Sequence, residues 1–222
     1  MVLDYHTGEL RAIVGGRDTP TIKKGLNRAQ SPSEVGSSIK PLAVYGPALD
    51  MGASPATIIK NFPCPIEGWD SEKGYPYIGS ESYIGPLTLR QGVVNSLNVA
   101  AARTLLEHVG FDNSANYLEL LGLDPSRISQ TGSAMALATT NITPIEMAAA
   151  YGAIANGGEY QEPLSFTRIV DESGKVILDA DEIREKHTVF KKSTAYMLVD
   201  ILTDAVNSGT GTNAKISGMT VA

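Results

Sequence analysis

The chain has 222 residues, of which 42% are hydrophobic and 19% are charged, which is the composition of a folded domain and not of a disordered segment. Its formal net charge of −6 argues against a nucleic-acid partner, because nucleic-acid binding usually needs a basic face. No apolar run approaches the roughly 20 residues of a membrane-spanning helix, and no signal peptide opens the chain. Cys64 is the only cysteine, so the sequence offers neither an internal disulfide nor a cysteine-based metal cluster.

The N-terminal part of the sequence predicts a hairpin, a connection and a helix. Residues 2–14 have the pattern of two strands joined by a turn, in which Gly8 can adopt a positive φ. Polar residues 17–35 predict a surface connection. Residues 37–49 predict a helix with Pro41 near its first turn, where a missing N–H costs little.

The middle of the sequence combines a long loop with three predicted helices. Residues 54–86 are too long for an ordinary connection, and such loops usually bind something or wrap a neighbouring lobe. Its aromatic residues can line a groove near a site or only pack the loop. They are Trp69, Tyr75, Tyr77 and Tyr83. Between residues 87 and 122 Thr88 can cap the first helix, and residues 96–98 separate the first helix from the second.

The C-terminal part predicts helices between two stretches of strand. Residues 143–146, Thr-Pro-Ile-Glu, have the pattern of a helix start with a capping box. Residues 164–178 predict a hairpin, residues 193–206 a helix, and residues 216–222 the beginning of a strand. Strands near both ends with helices between them favour an α+β fold, in which distant segments complete an antiparallel sheet around an inserted helical lobe.

The segment Gly36-Ser37-Ser38-Ile39-Lys40 can place a nucleophile beside a base. If a helix starts here, positions i and i+3 share a face, so the amine of Lys40 can reach the hydroxyl of Ser37. A serine hydroxyl is a weak nucleophile that needs a base, and a desolvated lysine can serve as one. The unpaired N–H groups of a helix N-terminus can stabilise an oxyanion. The alternative interpretation is a capping serine followed by a solvated lysine.

The predicted break between two helices carries a hydroxyl and a carboxamide, those of Ser96 and Asn98. Both can point into one cleft, where the serine can relay a proton and the amide can bind a peptide group. The alternative is that both residues only cap helices. The histidines, His6, His108 and His187, lie outside any motif with serine and aspartate and have no zinc spacing, and no cofactor motif is present.

The order Ser-x-x-Lys and then Ser-x-Asn resembles the penicillin-binding proteins and β-lactamases, whose motif set also includes Lys-Thr-Gly. The surrounding segments resemble that family too. They are "VLDYHTGELRAIVGG" for its opening hairpin, "NRAQSPSEVGSSIKPLAVY" for the approach to its nucleophile, "GPLTLRQGVVNSLNVAAARTLLEHVG" for its second motif and "TPIEMAAAYGAIANGG" for its long packing helix. The resemblance covers nearly the whole chain and is closest to the transpeptidase domain of the class A, bifunctional penicillin-binding proteins.

This resemblance implies a D-Ala-D-Ala transpeptidase that cross-links peptidoglycan stem peptides, in the serine transpeptidase fold that the family shares. Ser37 would attack the D-Ala-D-Ala carbonyl, with Lys40 as its base. Ser96 would carry the proton toward the leaving D-alanine, and Asn98 would hold the donor peptide and help to position Lys40. β-Lactam antibiotics would acylate Ser37 because they resemble the D-Ala-D-Ala end. The family needs no metal and no cofactor for this reaction.

The resemblance also implies features outside the printed sequence. An upstream glycosyltransferase domain and an N-terminal membrane anchor would place the parent protein at the extracytoplasmic face of the cell membrane. The Lys-Thr-Gly strand would follow Ala222, so we expect residues 1–222 to be one incomplete transpeptidase domain without its C-terminal strands. Within it, residues 1–36 would be the hairpin and connection, residues 37–160 a mostly helical lobe with the nucleophile, and residues 161–222 a hairpin, a helix and the start of a sheet strand.

Three alternatives stay open from the sequence. A β-lactamase-like hydrolase needs a residue that activates water, and no glutamate matches such a motif. A non-catalytic module would bind β-lactams or stem peptides without turnover. In a purely structural domain, Ser37 and Ser96 would only cap helices, and replacing Ser37 would cost about 1 kcal/mol of stability without removing any reactivity.

Overall fold

The computed structural model describes residues 1–17, 23–62, 83–129, 131, 135–136 and 140–222. Helices and strands are mixed along the chain, which agrees with the α+β class expected from the sequence. Four residues discussed above lie outside the described ranges, so their predicted roles stay predictions. They are Cys64, Trp69, Tyr75 and Tyr77.

The strands of the described ranges form antiparallel pairs. In chain order they are β1 (Val2–Asp4), β2 (Glu9–Ala12), β3 (Ser33–Glu34), β4 (Ile58–Asn61), β5 (Gly85–Thr88), β6 (Asn141–Ile142), β7 (Glu159–Gln161), β8 (Arg168–Val170), β9 (Val176–Asp179) and β10 (Lys186–Thr188). The pairs are β1 with β2, β3 with β6, β4 with β5, β7 with β10 and β8 with β9. Segments far apart in the sequence therefore do pair, as expected, but as short separate ladders within the described part of the chain.

The N-terminal hairpin confirms the turn predicted around Gly8. This glycine has a φ of 70°, and its N–H donates to the carbonyl of Asp4 at 2.8 Å. The hairpin is tied to a distant segment, because the N–H of Leu10 donates to the carbonyl of Leu164 at 2.9 Å and the N–H of Leu164 donates to Gly8 at 3.0 Å. Strand β2 ends at Ala12, slightly earlier than the sequence suggested.

The strand predicted for residues 216–222 was wrong. The segment follows a short 3-10 helix (Thr212–Ala214) and forms a turn, in which the N–H of Met219 donates to the carbonyl of Ile216 at 3.2 Å. A strand needs a neighbour that pairs with its N–H and C=O groups. None of the strands in the described ranges pairs with this segment, so its apolar pattern alone did not make it a strand.

The helix predicted for residues 37–49 has three parts with different hydrogen-bond spacing. A 3-10 turn (Gly36–Ile39) is followed by a π-helical segment (Pro41–Tyr45) and by the short helix α1 (Gly46–Asp50). Pro41 lacks the N–H that a regular α-helix needs at this position. The π-helical segment therefore begins at the residue that lacks a backbone N–H.

Among the remaining helices, those that begin after Thr88, Thr143 and Asp179 have side-chain caps. The remaining helices are α2 (Leu89–Val94), α3 (Asn98–Thr104), α4 (Phe111–Leu120), α5 (Pro144–Ala155), α6 (Ala180–Ile183) and α7 (Lys192–Ser208), and a π-helical segment (Leu105–Val109) extends α3. Thr88 and Thr143 each form a complete capping box with the residue three positions later, which confirms both predicted helix starts. None of the helices in the described ranges is both long enough and apolar enough to cross a membrane.

The hydrophobic core surrounds the helical run that begins at Gly36. Its central side chains, from Leu42 to Tyr45, are 0% exposed. Helix α4 holds this run through a buried hydrogen bond from the hydroxyl of Ser114 to the carbonyl of Ala43, at 2.6 Å. Because its middle is buried, the exposed part of the run near the cleft is its first turn.

Candidate active site

Ser37 lies in the exposed first turn of the central helical run. The turn begins at Gly36, whose φ of 59° favours glycine although a Cβ there would meet no neighbouring atom. The hydroxyl of Ser38 donates to the carbonyl of Val35 at 2.6 Å, and the N–H of Lys40 donates to the carbonyl of Ser37. The side chain of Ser37 is therefore carried by a short turn whose backbone is hydrogen-bonded on both sides.

The amine of Lys40 is buried, with only 2% of the residue's surface exposed. Its Nζ donates to the carbonyl of Ser96 at 2.7 Å, contacts the hydroxyl of Ser96 at 3.3 Å, and donates to Oδ1 of Asn98. Burying a charge is costly unless it is paired or hydrogen-bonded. The solvated lysine considered from the sequence is thus excluded, and the lysine joins two segments that lie 56 to 58 residues apart.

Ser96 lies in the tight turn between α2 and α3, where the sequence predicted a break. Its φ is 53°, in the left-handed region that a non-glycine residue adopts at a cost of about 1–2 kcal/mol. The turn is closed by hydrogen bonds from Ser96 to Val93 and from Leu97 to Gly92, both of 2.9 Å. Strained residues persist where the surroundings hold them and are common at functional sites. Here the Ser96 carbonyl faces the Lys40 amine.

A cavity of about 210 Å³ brings the predicted residues together. Its described lining consists of Ser37, Ser38, Lys40, Pro41, Tyr45, Val93, Ser96, Tyr151, Leu202, Ala205 and Thr210. Lys40 is the one charged member of that lining. Three of the four predicted site residues share this cavity, and the fourth, Asn98, contacts Lys40 beside it.

Among the lining residues that were not predicted as site residues are three with a side-chain hydroxyl outside the turn that carries Ser37, namely Tyr45, Tyr151 and Thr210. Thr210 lies in the loop that follows α7. That loop approaches α2 so closely that a Cβ on Gly209 would lie 2.2 Å from the carbonyl oxygen of Val94, while the N–H of Thr210 donates to the same oxygen at 3.2 Å. The small residue therefore allows the close approach that carries Thr210 to the cavity.

Several other residues singled out from the sequence lie away from this cavity. Tyr83 is not among the residues that line it, and Glu146 serves as the capping residue of α5. His6 contacts Asn156, and the Nε2 of His187 contacts the carbonyl of Leu120 at 2.7 Å. The described lining contains no histidine, so its serine–lysine pair is the arrangement that can activate a hydroxyl.

The chain belongs to the penicillin-binding protein transpeptidase domain family, whose pattern it matches over residues 1–222. This result confirms the resemblance seen in the sequence. The α+β fold, the serine–lysine turn and the second serine motif agree with this family.

Similar proteins also carry the penicillin-binding name. The chain is 35% identical to penicillin-binding protein 1A of Clostridium acetobutylicum, with 100% of this chain and 28% of the relative covered. It is 34% identical to penicillin-binding protein 1F of Bacillus subtilis, with 97% and 29% covered. The chain therefore spans less than a third of the length of these two relatives.

Solved structures show the same fold. Penicillin-binding protein 1A from Haemophilus influenzae superimposes with a TM-score of 0.72 at 27% identity, with 85% of this chain and 33% of that chain covered. PonA1 from Mycobacterium tuberculosis, in a structure that contains penicillin V, has a TM-score of 0.73 at 23% identity, with 91% and 53% covered. The second likeness supports the fold alone.

Proposed function

We propose that this chain carries the acyl-transfer site of a D-Ala-D-Ala transpeptidase, in which Ser37 forms the acyl-enzyme. The observation that carries the proposal is the buried Lys40 amine, which shares one cavity with Ser37 and is hydrogen-bonded to both members of the second motif. A purely structural role for the two serines gives no reason to bury a lysine between them.

Lys40 acts as the base in this proposal. A neutral amine has two N–H donors and one lone pair. The carbonyl oxygen of Ser96 and the amide oxygen of Asn98 can only accept hydrogen bonds, so they orient the two donors. In this proposal the lone pair of that neutral amine accepts the proton of Ser37 as the serine oxygen attacks the substrate carbonyl.

Ser96 and Asn98 handle the leaving group and the donor peptide. The Ser96 hydroxyl lies 3.3 Å from the Lys40 Nζ, which is near enough to pass a proton from the lysine toward the departing D-alanine nitrogen. The peptide bond of the donor breaks, D-alanine leaves with that proton, and the acyl group stays on Ser37. The amine of a second stem peptide then displaces Ser37 and forms the cross-link.

The wider assignments rest on the family and extend the proposal to the parent protein. Its partners would be peptidoglycan stem peptides and β-lactam antibiotics, and it would be membrane-anchored and fused to a glycosyltransferase domain at the extracytoplasmic face of the cell membrane. The Lys-Thr-Gly motif of the family does not occur in the 222 residues. We propose that a strand bearing it completes the cleft beside Ser37.

A fluorescent penicillin tests the acyl-enzyme directly. The chain is labelled as it stands, and also joined to the segment that follows the matched region in penicillin-binding protein 1A of Clostridium acetobutylicum. Labelled peptides are mapped by mass spectrometry. Ser37→Ala is compared with Ser173→Ala, a matched control in the exposed β8–β9 turn, where the hydroxyl donates to Asp171 at 2.6 Å.

Label on Ser37 that is lost only in Ser37→Ala is the expected result. Label on the shorter chain too would show that acylation does not need the added strand. Rapid release of the label would favour the β-lactamase-like hydrolase, and stable label without transfer to an amine acceptor would favour the binding module. No label on either folded form would refute the proposal.

A further inference from the structure

The turn that carries Ser37 depends on one donor from outside itself. The carbonyl of Val35 accepts from the Ser38 hydroxyl, and the carbonyl of Ser37 accepts from the Lys40 N–H. Both donors belong to the same short segment. The carbonyl of Ser38 accepts instead from the hydroxyl of Tyr151 on helix α5, at 2.7 Å and across 113 residues of sequence.

The reason for this distant donor lies in the sequence of the turn. In a 3-10 turn each carbonyl accepts from the N–H three residues later. For Ser38 that residue is Pro41, which has no N–H. The Tyr151 hydroxyl therefore supplies a hydrogen bond that Pro41 cannot make, to the carbonyl one residue after the nucleophile.

Tyr151 is well placed to donate to the Ser38 carbonyl. Its ring separates the Ser37 cavity from a neighbouring apolar groove that includes Val35, Ile142 and Met147. The start of α5 is fixed by the capping box at Thr143. Burial raises the pKa of Tyr151, which favours the protonated hydroxyl that donates to the Ser38 carbonyl.

We propose that Tyr151 is a positioning residue for Ser37. Its hydroxyl replaces the missing N–H of Pro41, fixes the Ser38 carbonyl and so holds the turn in the geometry from which Ser37 reacts. Small errors in the placement of a reacting group lower rates steeply. The effect on rate rests on the proposed acyl-enzyme function, but the effect on the turn does not.

Hydrogen exchange tests the turn without any need for activity. Tyr151→Phe removes only the hydroxyl, and Tyr117→Phe is the matched control, because its hydroxyl donates to Asp50 at 2.8 Å away from the cavity. We expect amides in residues 36–42 to exchange about five- to tenfold faster in Tyr151→Phe, as fits the loss of one net hydrogen bond, and to be unchanged in the control.

A double variant tests the reason for the hydrogen bond. Replacing Pro41 by Ala in the Tyr151→Phe chain returns an N–H to the position where the turn lacks one. At least half of the lost protection should return. If protection stays lost, the hydroxyl does not act as a substitute for that N–H, and this part of the proposal is wrong.

Acylation kinetics with penicillin test the consequence for Ser37. In Tyr151→Phe the maximal acylation rate should fall about tenfold, while the half-saturating penicillin concentration stays within about twofold, because the substitution disturbs the placement of the nucleophile and not the binding of the drug. Tyr117→Phe should react like the unchanged chain.

The outcomes separate this proposal from the function on which it rests. Unchanged exchange in residues 36–42, or faster exchange with an unaltered acylation rate, would overturn the positioning role. A parent chain that never labels at Ser37 would instead refute the acyl-enzyme function, and the exchange experiment would still decide whether Tyr151 holds the turn.

Discussion

Ser96 has a left-handed backbone conformation. Replacing it by alanine and by glycine therefore separates the effect of backbone strain on stability from the effect of the lost hydroxyl on acylation. Ser96→Ala and Ser96→Gly both remove the hydroxyl that lies 3.3 Å from the Lys40 Nζ, so both should acylate slowly and to the same extent. They differ in the backbone. At a φ of 53° alanine keeps a penalty of about 1–2 kcal/mol, whereas glycine adopts this region freely.

The expected difference in the free energy of unfolding follows from two opposing effects. Glycine avoids the left-handed penalty but loses about 0.5–1 kcal/mol more conformational entropy than alanine on folding. Relief of strain is the larger effect, so Ser96→Gly should be more stable than Ser96→Ala by about 0.5–1 kcal/mol. Urea unfolding followed by far-ultraviolet circular dichroism would measure this as a shift of the midpoint at constant slope.

The neighbouring residue provides a control of opposite sign. Leu97 has a φ of −69° and an extended backbone, where glycine has no advantage. Leu97→Gly should therefore be less stable than Leu97→Ala by about 0.5–1 kcal/mol. The reasoning would be refuted if Ser96→Gly were no more stable than Ser96→Ala, or if both pairs of variants differed in the same direction.

Three further predictions concern the scaffold. Arg90 joins α2 to two partly exposed aspartates of α7, so Arg90→Met should lower the free energy of unfolding by about 1 kcal/mol in dilute buffer and by less than half of that in about 1 M salt. Gly158→Ala should lower the free energy of unfolding, measured in urea, by about 3 kcal/mol, because its Cβ would lie 2.0 Å from a backbone carbonyl oxygen. Gly157→Ala has open space around it and should lower the free energy of unfolding by about 1 kcal/mol, for its positive φ alone. Burial alone would raise the pKa of Asp50, but the hydrogen bonds that its carboxylate accepts, the strongest of them from the Lys191 N–H, outweigh burial and hold the pKa below its usual range. A carboxyl with a lowered folded-state pKa contributes stability that is lost as the pH falls through that pKa, so Asp50→Asn should flatten the loss of stability measured below about pH 4.

The sequence predicted best those features that depend on residues close together in the chain. The helix start at Thr143 needs only a hydroxyl, a proline and a glutamate within four positions, and the structure has the complete capping box. The turn at Gly8 is equally local. The strand expected at residues 216–222 failed for the opposite reason, because strand formation depends on a partner that the segment itself does not specify.

The candidate site shows the same division. Spacing alone placed Ser37 and Lys40 on one turn, but nothing in the spacing brought Lys40 to Ser96 and Asn98, and only the family resemblance suggested that contact. Tyr151 escaped notice altogether. A tyrosine within an alanine-rich apolar helix does indicate a hydroxyl that needs a hydrogen-bond partner. The sequence does not show that this partner is the Ser38 carbonyl, which lacks a donor at Pro41, because the two segments meet only in the folded chain.

The burial of Lys40 has a consequence for the order in which the chain folds. Its amine can leave water at little cost only when the hydrogen-bond acceptors at residues 96–98 are already in place. Bringing residues 40 and 96 together restricts the chain between them, and this loss of entropy comes before the contact contributes any stability. We therefore expect the first turn of the central helix to dock late and together with the turn at Ser96, so that partly folded chains keep this lysine hydrated and hold no assembled site.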